Sequence, residues 1–367
     1  MTHRILCVIG TRPEAVKMAP VVHAIRGRPW AEVRVLATAQ HRELLDDVLK
    51  FFAITPDRDL DLMRPDQSLA GLTAELMAAL DPALATERPA FVLAQGDTTT
   101  VLTTALACSY RGIPFGHVEA GLRSHDLADP FPEELNRRVV ARLAALHFAP
   151  TTGARDNLLR EGVPAAAVHV TGNTVVDALA AALPRARRQR FAVLPGKQLV
   201  LVTAHRRESF GAPLQAICAA VRRLADRPDV QVVFPVHPNP NVHDDVHRLL
   251  GGHASIRLQA PLDYPSMLAA MHAATLVLTD SGGVQEEAPS FGVPVLVLRT
   301  TTERPEGIAA GVARLVGTDP ARIVAAASDL LDNPAARAAM VAKANPYGDG
   351  KAAERIADLV GAALRVG

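Results

Sequence analysis

Short apolar runs alternate with longer helical stretches along almost the whole chain, and that rhythm predicts the fold. Candidate strands fall at 5–9, 33–37, 91–94, 113–118, 146–149 and 167–170. After an interruption they resume at 199–203, 230–236, 255–258, 276–279, 293–298 and 313–316. Most of these runs are apolar without a break, as strands covered on both faces are, rather than alternating. Helical patterns lie between them, for instance at 15–26, 99–110, 213–224 and 321–331. Repeated βα units imply parallel sheets with right-handed crossovers. The rhythm breaks at the basic, Pro/Gly-containing stretch Pro184-Arg-Ala-Arg-Arg-Gln-Arg190 and Leu194-Pro-Gly-Lys197, which reads as a solvated connection rather than a binding arm. The expectation is an α/β protein of two doubly wound, Rossmann-like domains facing across a cleft, 1–172 and 173–349. A last helical pattern at 350–367 packs back on the first domain.

Composition narrows the function. The 367 residues suit two domains, and 49% hydrophobic with 21% charged residues is globular composition. A net charge of +1 gives no case for a nucleic-acid or anionic-membrane partner. The apolar run 5–9 is too short for a signal-peptide core, and no run approaches the ~20 residues of a spanning helix. Cys7, Cys108 and Cys218 are widely spaced in apolar surroundings and read as buried reduced thiols. A cytoplasmic protein is the expectation.

In doubly wound sheets ligands bind beyond the carboxyl ends of the strands, so the residues just past each run carry the chemistry. The first half offers Gly10-Thr-Arg-Pro-Glu-Ala-Val-Lys17, Gln95-Gly-Asp-Thr-Thr-Thr100 and Glu119-Ala-Gly-Leu-Arg123. The second offers Ala204-His-Arg-Arg-Glu208, His237-Pro-Asn-Pro-Asn241 and Asp280-Ser-Gly-Gly-Val-Gln-Glu-Glu287. Asp280-Ser281-Gly282-Gly283 makes the best anion cradle, small residues before a helix whose N-terminus carries about half a positive charge; an ordinary Ser cap with a tight turn explains the same residues. Glu286 or Glu287 suits ribose hydroxyls, or a first-turn carboxylate. Arg12, Lys17, Arg206, Arg207 and Arg304 are cations able to neutralise a pyrophosphate. No GxxxxGK[ST] occurs and no GxGxxG follows the first strand, against a P-loop or a standard dinucleotide site. Asp97, Glu119 and Glu133, with His205, are the acid/base candidates; for Glu133, which opens a helix with Glu134, capping alone is a sufficient account. His243 and His247, at i and i+4, lack the Glu of a zinc-protease motif and an obvious third ligand. Asp57-Arg-Asp-Leu-Asp61 resembles the DxD of metal-dependent glycosyltransferases but reads as a solvated loop. No metal site is expected.

These motifs in this order resemble the non-hydrolysing UDP-N-acetylglucosamine 2-epimerases of bacteria. The likeness rests on GTRPEAVKMAP (10–20), TAQHRELLDDVL (38–49), QGDTTT (95–100), HVEAGLRS (117–124), PFPEELNR (130–137) and TGNTVVDAL (171–179). It continues through TAHRRESFG (203–211), PVHPNPNV (235–242), DSGGVQEEAPSFGVPVLVLR (280–299), TTERPE (301–306) and NPYGDG (345–350). The resemblance implies the GT-B fold. It implies a pyrophosphate on Ser281, Gly282 and Gly283, a ribose on Glu287, phosphates on Arg12 and Arg304, and uracil near Leu262 and Met267. Asp97, Glu119, Glu133 and His205 match the family's catalytic positions and Lys17 a binding position. Ala204 stands where Gly often precedes the His, a swap of one small residue for another.

The implied reaction is reversible conversion of UDP-N-acetylglucosamine to UDP-N-acetylmannosamine, through loss of UDP to 2-acetamidoglucal and re-addition, with no cofactor. Its product would feed a bacterial surface polysaccharide. Gln40, His41, Arg207 and His237 match the segments where bacterial members bind UDP-N-acetylglucosamine as an allosteric activator, and a homodimer is the family's assembly. The competing readings are a hydrolysing 2-epimerase, a retaining GT-B glycosyltransferase, and a catalytically silent nucleotide-sugar-binding regulator.

Overall fold

The structure is a computed structural model that describes the backbone of residues 2–38, 42–62, 64, 67–186, 188–341 and 345–365, and the side chains of these less 42–44, 207 and 365. The chain divides into two units, Met1–Ala181 with Tyr347–Gly367, and Ala182–Pro346. The division falls within the helix Thr174–Ala186, later than the expected break after 172.

Unit 1 contains β1 (His3–Ile9), β2 (Ala31–Ala37), β3 (Arg58–Asp59), β4 (Phe91–Gln95), β5 (Phe115–Val118), β6 (Leu146–Ala149) and β7 (Val168–Val170). They form one sheet in the order β3-β2-β1-β4-β5-β6-β7, with every neighbouring pair parallel. Unit 2 contains β8 (Gln198–Thr203), β9 (Val230–Pro235), β10 (Ile256–Gln259), β11 (Leu276–Thr279), β12 (Val295–Val297) and β13 (Ala313–Leu315). Its sheet runs β10-β9-β8-β11-β12-β13, again all parallel. Each unit therefore repeats the doubly wound order, reversing direction between β1 and β4 and between β8 and β11. Those reversals are where such sheets open to ligands.

Continuous burial explains the unbroken apolar runs: Ile5 to Ile9 are at most 1% exposed and Phe91 to Ala94 at most 2%. In unit 1 the core joins Leu6, Val8, Leu36, Leu76, Leu80, Val92, Val101 and Phe115. In unit 2 it joins Val200, Val202, Ile217, Val221, Val232, Phe234 and Leu278. Each such side chain removed from water contributes about 1.5–3 kcal/mol. The strand β3 corrects the sequence reading of Asp57–Asp61 as a loop. Its two polar residues pair with β2 at the sheet edge, while Asp57 accepts from the Val35 amide at 2.8 Å and pairs with Arg34 at 2.9 Å. Charge rather than hydrophobicity holds it, so no apolar run announces it. The helix Ala352–Arg365 packs against Arg12–Arg26, Arg28 reaches Asp358 at 2.7 Å, and the Trp30 indole lies on Gly361. No described helix is long and apolar enough to cross a membrane.

Candidate active site

The first-half candidates gather beyond the carboxyl ends of β1, β4 and β5. β1 ends at Ile9, and the turn after it enters the helix Arg12–Arg26 through a capping box. Thr11 accepts from the Glu14 amide, and Glu14 Oε2 accepts from the amides of Thr11 at 3.2 Å and Gly10 at 2.5 Å. The other oxygen of Glu14 takes the Thr98 hydroxyl at 2.6 Å, which fastens the turn after β1 to the turn after β4. Burial pushes the Glu14 carboxyl up from 4.5 to about 7. The donors Thr98, Gly10 and Thr11 oppose that rise and the nearby Asp97 adds to it. Arg12 opens the helix and is half-buried.

Asp97 follows β4, half-buried, and is held from the helix Glu133–Leu143. Arg137 Nη1 donates to its carboxylate at 2.5 Å, and Asn136 Nδ2 donates to its backbone carbonyl at 2.8 Å. Arg137 is 3% exposed and is itself anchored on Glu134, which is fully buried. His117 on β5 adds a bond from its ring Nε2 to the Gly96 carbonyl at 2.7 Å. Burial drives the pKa of that ring down to about 3, so the imidazole stays neutral and, with Nε2 carrying the hydrogen, acts as the donor. Glu133 sits half-buried in the first turn of the same helix, after Pro132, which makes no side-chain cap.

Glu119 follows β5 with φ of +63°, a left-handed backbone that costs a residue with a side chain about 1–3 kcal/mol. It is 7% exposed and surrounded by donors. Lys17 Nζ and Gln95 Nε2 reach its two oxygens, and Asn173 Nδ2 donates to Oε1 at 3.0 Å. Lys17, read from the sequence as a cation for a pyrophosphate, is thus 5% exposed and paired with this carboxylate.

In unit 2, His205 follows β8. The wholly buried Asp280, after β11, accepts from the amides of His205 at 2.8 Å and Arg206 at 2.9 Å and from the Ser209 hydroxyl at 3.1 Å. Its other oxygen lies 3.5 Å from His205 Nδ1. Burial lowers the His205 pKa, and the Asp280 carboxylate works in the opposite direction. The His205 ring stacks on that of His237, centroids 5.5 Å apart and 9° from parallel; His237 is exposed.

The segment 281–287 differs from the sequence expectation in one respect. The helix it opens, Gly282–Glu287, is six residues long before it passes into a 3-10 turn. It offers unbonded amides rather than the dipole of a long helix. Ser281 caps it without a side-chain bond. Gly282 leaves room for Arg304: a Cβ there would meet the guanidinium carbon and both terminal nitrogens closer than side chains approach, so the guanidinium would have to shift. Arg304 is clamped by Glu286, Nε to Oε1 at 2.7 Å. Glu303 sits among Arg304, Arg299 and Arg206; burial raises its pKa, but the three cations outweigh that and bring it to about 2. Glu287 is 9% exposed. Leu262 and Met267 flank Asp263, the cap of the helix Tyr264–Ala273, and are partly exposed.

Gln40 and His41 lie outside the described residues, as does the side chain of Arg207. His243 and His247 share one exposed helix face, ring centroids 4.3 Å apart. Among the described residues no group of three or more His, Cys, Asp or Glu is arranged to hold a metal. Sequence reasoning passed over Glu14, Gln95, Arg137 and Asn173 as functional residues, and placed Asp280 in the anion cradle rather than behind His205. Only Glu14 carries a local signal, the Thr-x-x-Glu of a capping box.

The sequence model of UDP-N-acetylglucosamine 2-epimerases matches residues 23–361. The chain is 50% identical over 364 residues to the UDP-N-acetylglucosamine 2-epimerase of Escherichia coli K12, covering 96% of this chain and 97% of that one. It is similar to the crystal structure of UDP-GlcNAc 2-epimerase from Neisseria meningitidis bound to UDP-GlcNAc, with a TM-score of 0.95 at 42% identity, covering 98% of this chain and 100% of that one. The Methanocaldococcus jannaschii enzyme in complex with UDP-GlcNAc and UDP superposes with a TM-score of 0.87 at 30% identity, covering 98% and 99%. Two parallel-sheet α/β units with these structural relatives make the fold GT-B. By sequence pattern and by structure over nearly its whole length, the chain belongs to the UDP-N-acetylglucosamine 2-epimerase family.

Proposed function

We propose that the chain interconverts UDP-N-acetylglucosamine and UDP-N-acetylmannosamine by inverting C2 without net hydrolysis. The C2 hydrogen is not next to a carbonyl, so its direct removal as a proton is unfavourable. Departure of UDP from C1 with the bonding pair creates oxocarbenium character there and acidifies C2. A carboxylate takes that proton, the C1–C2 double bond forms, and 2-acetamidoglucal and UDP remain bound. Proton delivery to the other face of C2 and return of the diphosphate oxygen to C1 give the epimer. Atoms and electrons balance without a redox step.

The observation that supports the reading is a pair of carboxylates at the ends of neighbouring strands, each fixed from behind by its own cation. Asp97 rests on Arg137 and Glu119 on Lys17. Inversion needs a proton-transfer group for each face of C2, and two independently supported carboxylates meet that need, with Glu133 in the first turn of the helix that carries Arg137. The diphosphate is assigned to Ser281, Gly282, Gly283, Arg304 and Arg12, donors suited to a leaving group that gathers charge in the transition state. The ribose is assigned to Glu287, the uracil to the backbone around Leu262 and Met267, and assistance to the leaving phosphate to His205. Gln40, His41, Arg207 and His237 are assigned to an activating second UDP-N-acetylglucosamine. The assembly is assigned as a homodimer, and the product to surface-polysaccharide synthesis in the cytoplasm.

The test is incubation with UDP-N-acetylglucosamine in D2O, monitored by NMR. Deuterium at C2 in a mixture of two UDP-sugars is expected, and Asp97→Asn is expected to bind UDP but lose exchange. Free N-acetylmannosamine with accumulating UDP would instead identify a hydrolase. Absence of exchange without an acceptor would identify a transferase, and binding without turnover a regulator.

A further inference from the structure

Two of the motifs, TGNTVVDAL and NPYGDG, take no part in the reaction as assigned, yet unit 1 brings them together. The Asn173 amide donates to the Tyr347 carbonyl at 2.8 Å. Arg355 donates to the Thr171 carbonyl at 2.9 Å and to Asp349 at 2.8 Å and 2.6 Å. Asp177 accepts from the amides of Ala352 at 3.2 Å and Ala353 at 2.9 Å. At Gly348, φ is +154° and a Cβ would stand 3.3 Å from the Asn173 amide nitrogen. The returning chain is therefore pressed onto 172–173. Asn173 and Tyr347 are each 2% exposed.

The Asn173 side chain points the other way, to Glu119, and its orientation is fixed. Its Oδ1 accepts from the Val175 amide at 3.0 Å, and its backbone carbonyl accepts from the Val176 amide at 3.1 Å, so it caps the helix Thr174–Ala186. With Oδ1 committed, only the NH2 group faces Glu119. A carboxylate accepts that bond, and a protonated oxygen in the same place would lose it. Also on Glu119 are the ammonium of Lys17, from the helix Arg12–Arg26, and the amide of Gln95, from β4; all three donate.

We propose that Asn173 is a positioning residue for Glu119: it fixes the orientation of the carboxylate and ties its place to the chain segment that re-enters unit 1 at Tyr347. The proposal rests on the function assigned above, and Asn173 itself touches no substrate atom in it. Two substitutions separate the bond from the cap. Asn173→Ser keeps an N-cap oxygen for Val175 but cannot reach Glu119. Asn173→Asp keeps the cap and sets an acceptor against an acceptor.

The experiment measures kcat, KM and the isotope effect with substrate deuterated at C2, alongside UDP binding by calorimetry and thermal unfolding. For Asn173→Ser, kcat falls roughly tenfold to a hundredfold, the cost of a proton-transfer group misplaced by about 1 Å. KM and UDP affinity stay within about twofold, and the isotope effect on kcat rises as proton transfer becomes the slow step. Asn173→Asp loses more. A purely structural role would move unfolding and KM and leave the isotope effect where it was, which would overturn the proposal. Should Asn173→Ser fail to fold, Asn173→Asp, with the stronger cap, carries the same reading. Exchange by both variants at the wild-type rate overturns the inference alone. A wild-type protein that exchanges nothing overturns the assigned function and this inference with it.

Discussion

Replacing Glu14 by Gln isolates the cost of a buried carboxyl at the turn after β1. Glu14 is 2% exposed, and burial lifts its pKa from 4.5 to about 7. Between those values the native protein holds a proton that the unfolded chain has lost. The contribution of this group is therefore fully present below pH 4.5 and is lost as pH rises through 7. At ~1.4 kcal/mol per pH unit the loss comes to about 3 kcal/mol. Gln fits the same bonds: its oxygen accepts from the amides of Gly10 and Thr11, and its NH2 donates to Thr98. The variant has no proton to lose, so its stability relative to wild type rises between pH 4.5 and 7 and levels off above. His117 and His147, with pKa values brought down by burial to about 3 and 4, work in the opposite sense. Their contribution is present above 6.5 and lost as pH falls, but it is common to both proteins and cancels in the difference. The chain has a single tryptophan, Trp30, in unit 1. Urea titrations monitored by its fluorescence thus report the unit that holds Glu14, which a two-unit protein requires. Equal separation of the two midpoints at pH 5 and pH 8 would refute the reasoning.

Other outcomes are specific to unit 2. Gly282→Ala places a methyl where the Arg304 guanidinium lies, so UDP affinity by calorimetry falls about tenfold to a hundredfold, the worth of a displaced charged donor; unchanged affinity would remove Arg304 from the phosphate site. Asp280→Ala strips the acceptor from two amides and a hydroxyl. The amides of His205 and Arg206 then exchange at least tenfold faster with solvent deuterium, and kcat falls while the unit stays folded. Asp280→Asn, which keeps one oxygen, is milder, and identical exchange in all three proteins would refute the account.

The legible part of the sequence is the local part. Strands buried on both faces leave unbroken apolar runs, so all twelve predicted runs return as strands of the two sheets, and residues just past them are where chemistry collects. β3 was illegible because an edge strand held by Asp57 and Arg34 has no apolar signature. The supports behind the acid/base groups were hidden for a different reason. Arg137 reaches Asp97 across 40 residues of chain and Asn173 reaches Glu119 across 54, and no spacing encodes such pairings. Lys17 is a pairing of the same kind: its ammonium meets a carboxylate that lies 102 residues further along the chain.

Unit 1 is assembled from two stretches of chain with all of unit 2 between them. A ribosome delivers residues in order, so Met1–Ala181 must wait through the synthesis of Ala182–Pro346 before its closing helix Ala352–Arg365 is available. Until then Gly361 is absent from beneath Trp30 and Asp177 has no amides of Ala352 and Ala353 to accept from. The closing stretch of unit 1 is thus made only after all of unit 2, and the nascent Met1–Ala181 is without these contacts for that interval.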